Sequence, residues 1–248
     1  MFLSLLTANY SGENQAIMDN LTTSEAFWMV LIVGIAGMIV QWRLRSVVAK
    51  YSKVALPSGL TGAEIARQML EAHGIHNVAI THTGGYLTDH FNPMTMTVNL
   101  SDEVYHGRSI TAAAIACHEC GHAVQHARGY APLKMRSALV PFVSFASKSL
   151  TWVLLIGIIT VQTFPQILLC GIILFASTTL FSFITLPVEI DASRRALAWL
   201  SSAGITNVSN HSQATSALRS AAYTYVVAAL SSLATLIYYI LIYTRNRD

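Results

Sequence analysis

The stretch AAAIACHECGHAVQHARGY, residues 112–130, carries histidines at 118, 122 and 126 and a glutamate at 119. His118 and His122 are four residues apart, so on a helix they share one face about a turn apart. Two imidazoles so placed converge on one metal ion, and Glu119 beside them reaches water held there. This is H-E-x-x-H, the arrangement of zinc metalloproteases. Zinc brings the pKa of water down to about 7 and polarises a scissile carbonyl. The glutamate takes the water's proton and passes it to the leaving amine. His126 continues the spacing, but at 1.5 Å rise per residue it stands about 12 Å along the axis from His118, too far to share one ion. The longer pattern H-E-x-x-H-x-x-G-x-x-H also fails, because Gln125 and Arg128 occupy its glycine and third histidine. A third ligand must come from another segment.

The best source is TLPVEIDASRRALAWL, residues 185–200. Here Pro187 is expected to restart the chain, so that Glu189 and Asp191 fall in the first turn of a new helix. Glu189 would complete a His2Glu set around one zinc per chain, gluzincin-like. Asp191 is read as an outer carboxylate that orients a histidine. The competing reading makes both residues helix-start acids favoured by the macrodipole. Tyr105, His90, Arg194 and Tyr225 are all conceivable donors to a transition state, and spacing singles out none.

These side chains need a scaffold, and composition names its class. The 248 residues are 53% hydrophobic and 11% charged, with mean hydropathy +0.50. Soluble domains carry about a quarter charged residues, so the expected class is membrane protein. A net charge of +3 without a basic run speaks against nucleic acid as a partner. Three cysteines are too few for a disulfide framework, and Cys117 and Cys120 read as small packing residues on a helix.

Four apolar segments follow. Residues 26–42 form the first expected span, after an N-terminal segment 1–25. No charge occurs between Lys148 and Glu189, and Pro165 sits at the bend of an expected transmembrane hairpin, 150–186. Residues 221–244 form the fourth span. No Lys or Arg precedes position 43, whereas Arg43, Arg45, Lys50 and Lys53 follow at once. The positive-inside rule then puts the N-terminus outside and the site in the cytoplasm. The inside segments would be a catalytic region, 54–135, and a helical segment, 187–220, that brings the third ligand.

Within 54–135, Thr61 and Glu64 stand in capping-box spacing ahead of a helix that stops at Gly74. NVAITHTGG and MTMTVNLS read as short strands separated by the turn-rich YLTDHFNP. Ser109 caps the H-E-x-x-H helix and Gly129 ends it. The fold class is therefore mainly α: a polytopic helical membrane protein of about four spans with a small α+β catalytic region carrying the H-E-x-x-H helix.

Several of these stretches, SGLTGAEIARQML, YLTDHFNP, VNLSDEVYHGRSI, HECGHAVQHARGYAPLKMRSALVP and TLPVEIDASRRAL, resemble the bacterial YugP-type neutral zinc metallopeptidases of the membrane. The resemblance runs from about Ser58 onward and implies a zincin-like domain on the bacterial cytoplasmic membrane. More distantly the chain is similar to the HtpX and CAAX prenyl membrane proteases, in which E-x-x-x-D supplies the third ligand. Glu189 matches that glutamate, and Ser193 stands where the aspartate would be. The expected function is a membrane-anchored zinc endopeptidase with Glu119 as base, acting on protein or peptide substrates beside the lipid bilayer. The rival is an inactive zinc-binding scaffold, for which Glu119 would have no use. A zinc transporter would need carboxylates and histidines within the spans, which lack them.

Overall fold

The computed structural model describes residues 23–246. The expected N-terminal segment 1–25 thus lies, but for its last three residues, outside the described residues. The chain forms helices α1 (Thr23–Tyr51) and α2 (Gly62–Ala72), then strands β1 (Ala79–Thr83), β2 (His90–Asn92) and β3 (Thr97–Ser101). A short α3 (Asp102–Tyr105) leads to α4 (Ile110–Ala127), α5 (Ala131–Ile159), α6 (Pro165–Ser202) and α7 (His211–Arg245). Helices α1, α5, α6 and α7 are each long and apolar enough to cross a membrane.

Local chemistry sets several boundaries. Thr61 Oγ1 accepts from the Glu64 N–H while Glu64 Oε2 accepts from the Thr61 N–H, so α2 starts in the expected capping box. Ser109 Oγ accepts from the Ala112 N–H and starts α4. Gly129, at φ +65°, takes the left-handed conformation just past its end. Helices α5 and α6 form a hairpin in which a Cβ on Gly157 would lie 2.6 Å from Leu168 Cα, so the absent side chain lets the backbones close. Helix α7 returns along α1. The Phe27 and Tyr238 rings lie 6.3 Å apart at one end of the pair, and Gly37 meets Val227 midway, so the two run antiparallel.

Two local expectations change. YLTDHFNP is not only turn: His90–Asn92 forms a third strand, giving the order β1-β3-β2. Strand β1 runs parallel to β3, and β2 antiparallel with Phe91 opposite Val98. Asn92 Oδ1 accepts from the Met94 and Thr95 N–H groups, which folds the hairpin tightly behind so short a strand. Secondly, Pro187 does not restart a helix, because α6 runs unbroken from Pro165 to Ser202. A proline removes one N–H from the ladder. The carbonyl left without that partner is Phe183's, four residues back, and α6 stays helical across it. Glu189 therefore sits deep in a long helix, where a helix-start role does not apply.

The core of the α/β unit gathers Ile65 and Met69 of α2, Leu100 of β3, Val124 of α4 and Leu200 of α6. Fully burying such side chains contributes about 1.5–3 kcal/mol each. Cys117 and Cys120 lie wholly within this core, and burial pushes both thiols up, so they stay protonated and act as packing residues. The decisive contact is α4 on α6. A Cβ on Gly121 would lie 2.7 Å from the Ala192 carbonyl oxygen, so only glycine lets the H-E-x-x-H helix come this close to α6.

Candidate metal centre

That close approach brings Glu189 to the histidines. Among the described residues, one group of His, Cys, Asp or Glu side chains is gathered as a metal set: His118, His122 and Glu189, with ligand atoms all within 4.8 Å of one another. Glu189 Oε2 lies 3.2 Å from His118 Nε2 and 3.6 Å from His122 Nε2. Tetrahedral zinc with bonds of about 2.0–2.1 Å sets its ligand atoms about 3.4 Å apart. The two separations bracket that value, and two imidazoles with a carboxylate are a zinc donor set, so the residues fit the ion.

The tautomers fit as well. Gln125 is fully buried, and its Nε2 donates to the Val188 carbonyl at 2.8 Å and to Asp191 Oδ2 at 2.9 Å. Its Oε1 is left to accept, 3.1 Å from His122 Nδ1. Nδ1 of His122 thus carries a proton, which leaves Nε2, the nitrogen facing Glu189, as the one that would ligate an ion. Ser193 Oγ lies 3.1 Å from His118 Nδ1 and orients the other ring in the same sense. Burial lowers the pKa of His122, while the Glu189 and Glu119 carboxylates and the Gln125 contact together raise it more, so without metal the balance is upward.

Asp191 touches neither imidazole. It holds Gln125, which holds His122, and is itself braced by Arg194 and by Arg195 Nε at 2.6 Å. Ser193, at the position of the aspartate in E-x-x-x-D, makes the direct contact to His118. His126 is outside the cluster and packs its ring on Phe91, centroids 5.7 Å apart.

Glu119 is nearly buried, and its Oε2 accepts from the Phe91 N–H of β2 at 3.0 Å. It opens on a cleft of about 440 Å³ between β2, the start of α5 and the metal set. Of the conceivable transition-state donors, His90 and Tyr225 line this cleft. Tyr105 instead packs against His82 and His106, and Arg194 bonds Asp191 from an exposed position, so neither reaches it. Arg136 was not legible in the sequence. Its Nη1 lies 3.6 Å from Glu189 Oε1, and its buried Nε has no hydrogen-bond partner among the described residues. The signal was a basic residue five positions before an internal proline, which by itself says nothing.

Two known groups of proteins are similar to this chain. A family model described as "Putative neutral zinc metallopeptidase" matches residues 26–244. "Putative membrane protease YugP" of Bacillus subtilis (strain 168) is 41% identical over 208 residues, covering 84% of this chain and 92% of that protein. No solved structure matches the chain.

Proposed function

The chain belongs to the neutral zinc metallopeptidase family, and on that basis we propose a membrane-anchored endopeptidase that cuts protein or peptide substrates at the cytoplasmic surface of the bacterial inner membrane. The observation that carries this reading is the meeting of His118 and His122 on α4 with Glu189 on α6, beside Glu119 in an open cleft. His118 Nε2, His122 Nε2 and a Glu189 oxygen would hold one zinc per chain, a gluzincin-type set. Zinc held there supplies Lewis acidity, which acidifies water and polarises the scissile carbonyl.

The remaining steps belong to the chain's own residues. Phe91 holds Glu119 through Oε2, leaving Oε1 to take a proton from the attacking water and hand it to the leaving amine. Arg136 and Tyr225, on the cleft wall, are placed to donate to the developing oxyanion. Ser193, and Asp191 through Gln125, hold the imidazoles in the ligating tautomer. Cytoplasmic orientation is supported by thirteen of the fifteen Lys and Arg residues falling in 43–148 and 187–220.

Proteomics of membrane fractions tests the reading. Cells making the active protein should accumulate cleavage fragments that are absent with Glu119→Gln. Identical fragment sets would leave a zinc-binding scaffold as the better description.

A further inference from the structure

We propose that a polar recess between α1 and α7, distinct from the metal centre, binds the phosphate headgroup of an anionic phospholipid. The recess encloses about 790 Å³ and is lined by Arg43 of α1, by Ser201 near the end of α6, by the loop at Thr206, and by Arg219 and its neighbours on α7. Among the described residues that line it there is no carboxylate. Among the described residues, neither arginine forms an ion pair. Two unpaired guanidiniums facing one cavity favour an anion, and their planar forks match phosphate oxygens.

The α7 wall is a single helical face. His211, Thr215, Ser216, Arg219, Ser220 and Tyr223 recur at three- and four-residue steps, presenting hydroxyls along the cation side. Thr206 Oγ1 lies 2.9 Å from His211 Nδ1 and ties the loop to that face. The opposite face of the same turns, Ala217, Leu218 and Tyr225, lines a separate cavity at His118 and Glu119. The recess therefore lies level with the catalytic cleft but looks away from it.

Depth selects the phosphate source. Arg43 is the first charge after the apolar stretch 26–42, and Arg219 is the last before the uncharged run 220–244. Because α1 and α7 run antiparallel, both arginines mark the same end of two adjacent spans. That is the headgroup layer, where a basic pocket between spans meets lipid phosphate before it meets free phosphate.

Native mass spectrometry of the full-length protein, delipidated in neutral detergent, tests this with dioleoylphosphatidylglycerol, dioleoylphosphatidylcholine and inorganic phosphate as probes. Wild type and Arg45→Gln, a control on the same helix outside the recess, should both retain the glycerol lipid about tenfold or more over the choline lipid. The pair Arg43→Gln and Arg219→Gln should abolish that preference, and inorganic phosphate should not displace the lipid. An unchanged preference in the double variant overturns the proposal. So does an equal loss in Arg45→Gln, which would report diffuse surface charge, or displacement by phosphate, which would report a free-anion site. Both arginines are exposed. If the double variant nevertheless aggregates, Ser216→Glu places a carboxylate in the recess and should lose the same preference, and full retention there overturns the proposal.

Discussion

At the residue scale, ligands and their supports should separate by how much zinc affinity each one controls. Glu189→Ala removes a donor atom, so its zinc affinity should fall further than in any outer variant. Ser193→Ala and Gln125→Ala each release one imidazole from its orienting partner, which should cost about 10–100-fold. His126→Ala should leave affinity at the wild-type level. Competition titration against a chelator measures all four, and a Glu189→Ala protein that binds zinc like wild type would remove Glu189 from the set. Acid gives a second handle on the same side chains. The pKa of His122 in the metal-free fold is raised above the ordinary 6.5. Its proton therefore stabilises the metal-free fold fully below about 6.5, and that stabilisation is lost as pH rises through the raised folded value. Zinc must displace this proton, so affinity should fall on acidification through the same window, which begins above 6.5. Zinc affinity that stays flat from about pH 8 to pH 6 would contradict this.

At the element scale, the site depends on one close helix contact. Gly121→Ala puts a methyl group against the Ala192 backbone, and α4 and α6 must separate to admit it. Overpacking of this kind costs about 1–3 kcal/mol, and here it also moves Glu189 from the histidines. Melting temperature and zinc affinity should both drop in Gly121→Ala. Unchanged values for both would show that the helices are not in such close contact. The sequence reveals the elements whose causes are local: the Thr61–Glu64 cap, the H-E-x-x-H spacing and the apolar spans. It brings Glu189 to the histidines only because a third ligand is needed, since 71 residues separate it from His118. Gly121 is merely a spacer letter in that motif, and its role exists only once Ala192 faces it. Strand β2 is equally hidden, because three residues with one apolar side chain carry no period and pair only when β3 is present. Pro187 misleads for a related reason. A helix held by its neighbours tolerates one missing hydrogen bond that an isolated helix would not.

At the scale of the whole molecule, four long apolar helices among the described residues frame a small α/β unit, and the cleft beside the metal set lies between that unit and the start of α5. Topology is open to direct labelling. Met94, at the β2–β3 turn, and Val208, between α6 and α7, are almost fully exposed and should face the cytoplasm together. In a Cys170→Ser background, Met94→Cys and Val208→Cys should react with a membrane-impermeant maleimide in inverted vesicles and not in intact cells. Labelling of either from outside would reverse the orientation. The most direct test of a zinc peptidase here uses purified full-length protein in nanodiscs, with zinc content and cleavage of an unfolded protein substrate measured side by side for wild type and Glu119→Gln. One zinc per chain is expected in both, with turnover lost by several orders of magnitude in the variant, as follows when a general base is removed. Equal cleavage by the two proteins, or a wild type that binds no zinc, would contradict it.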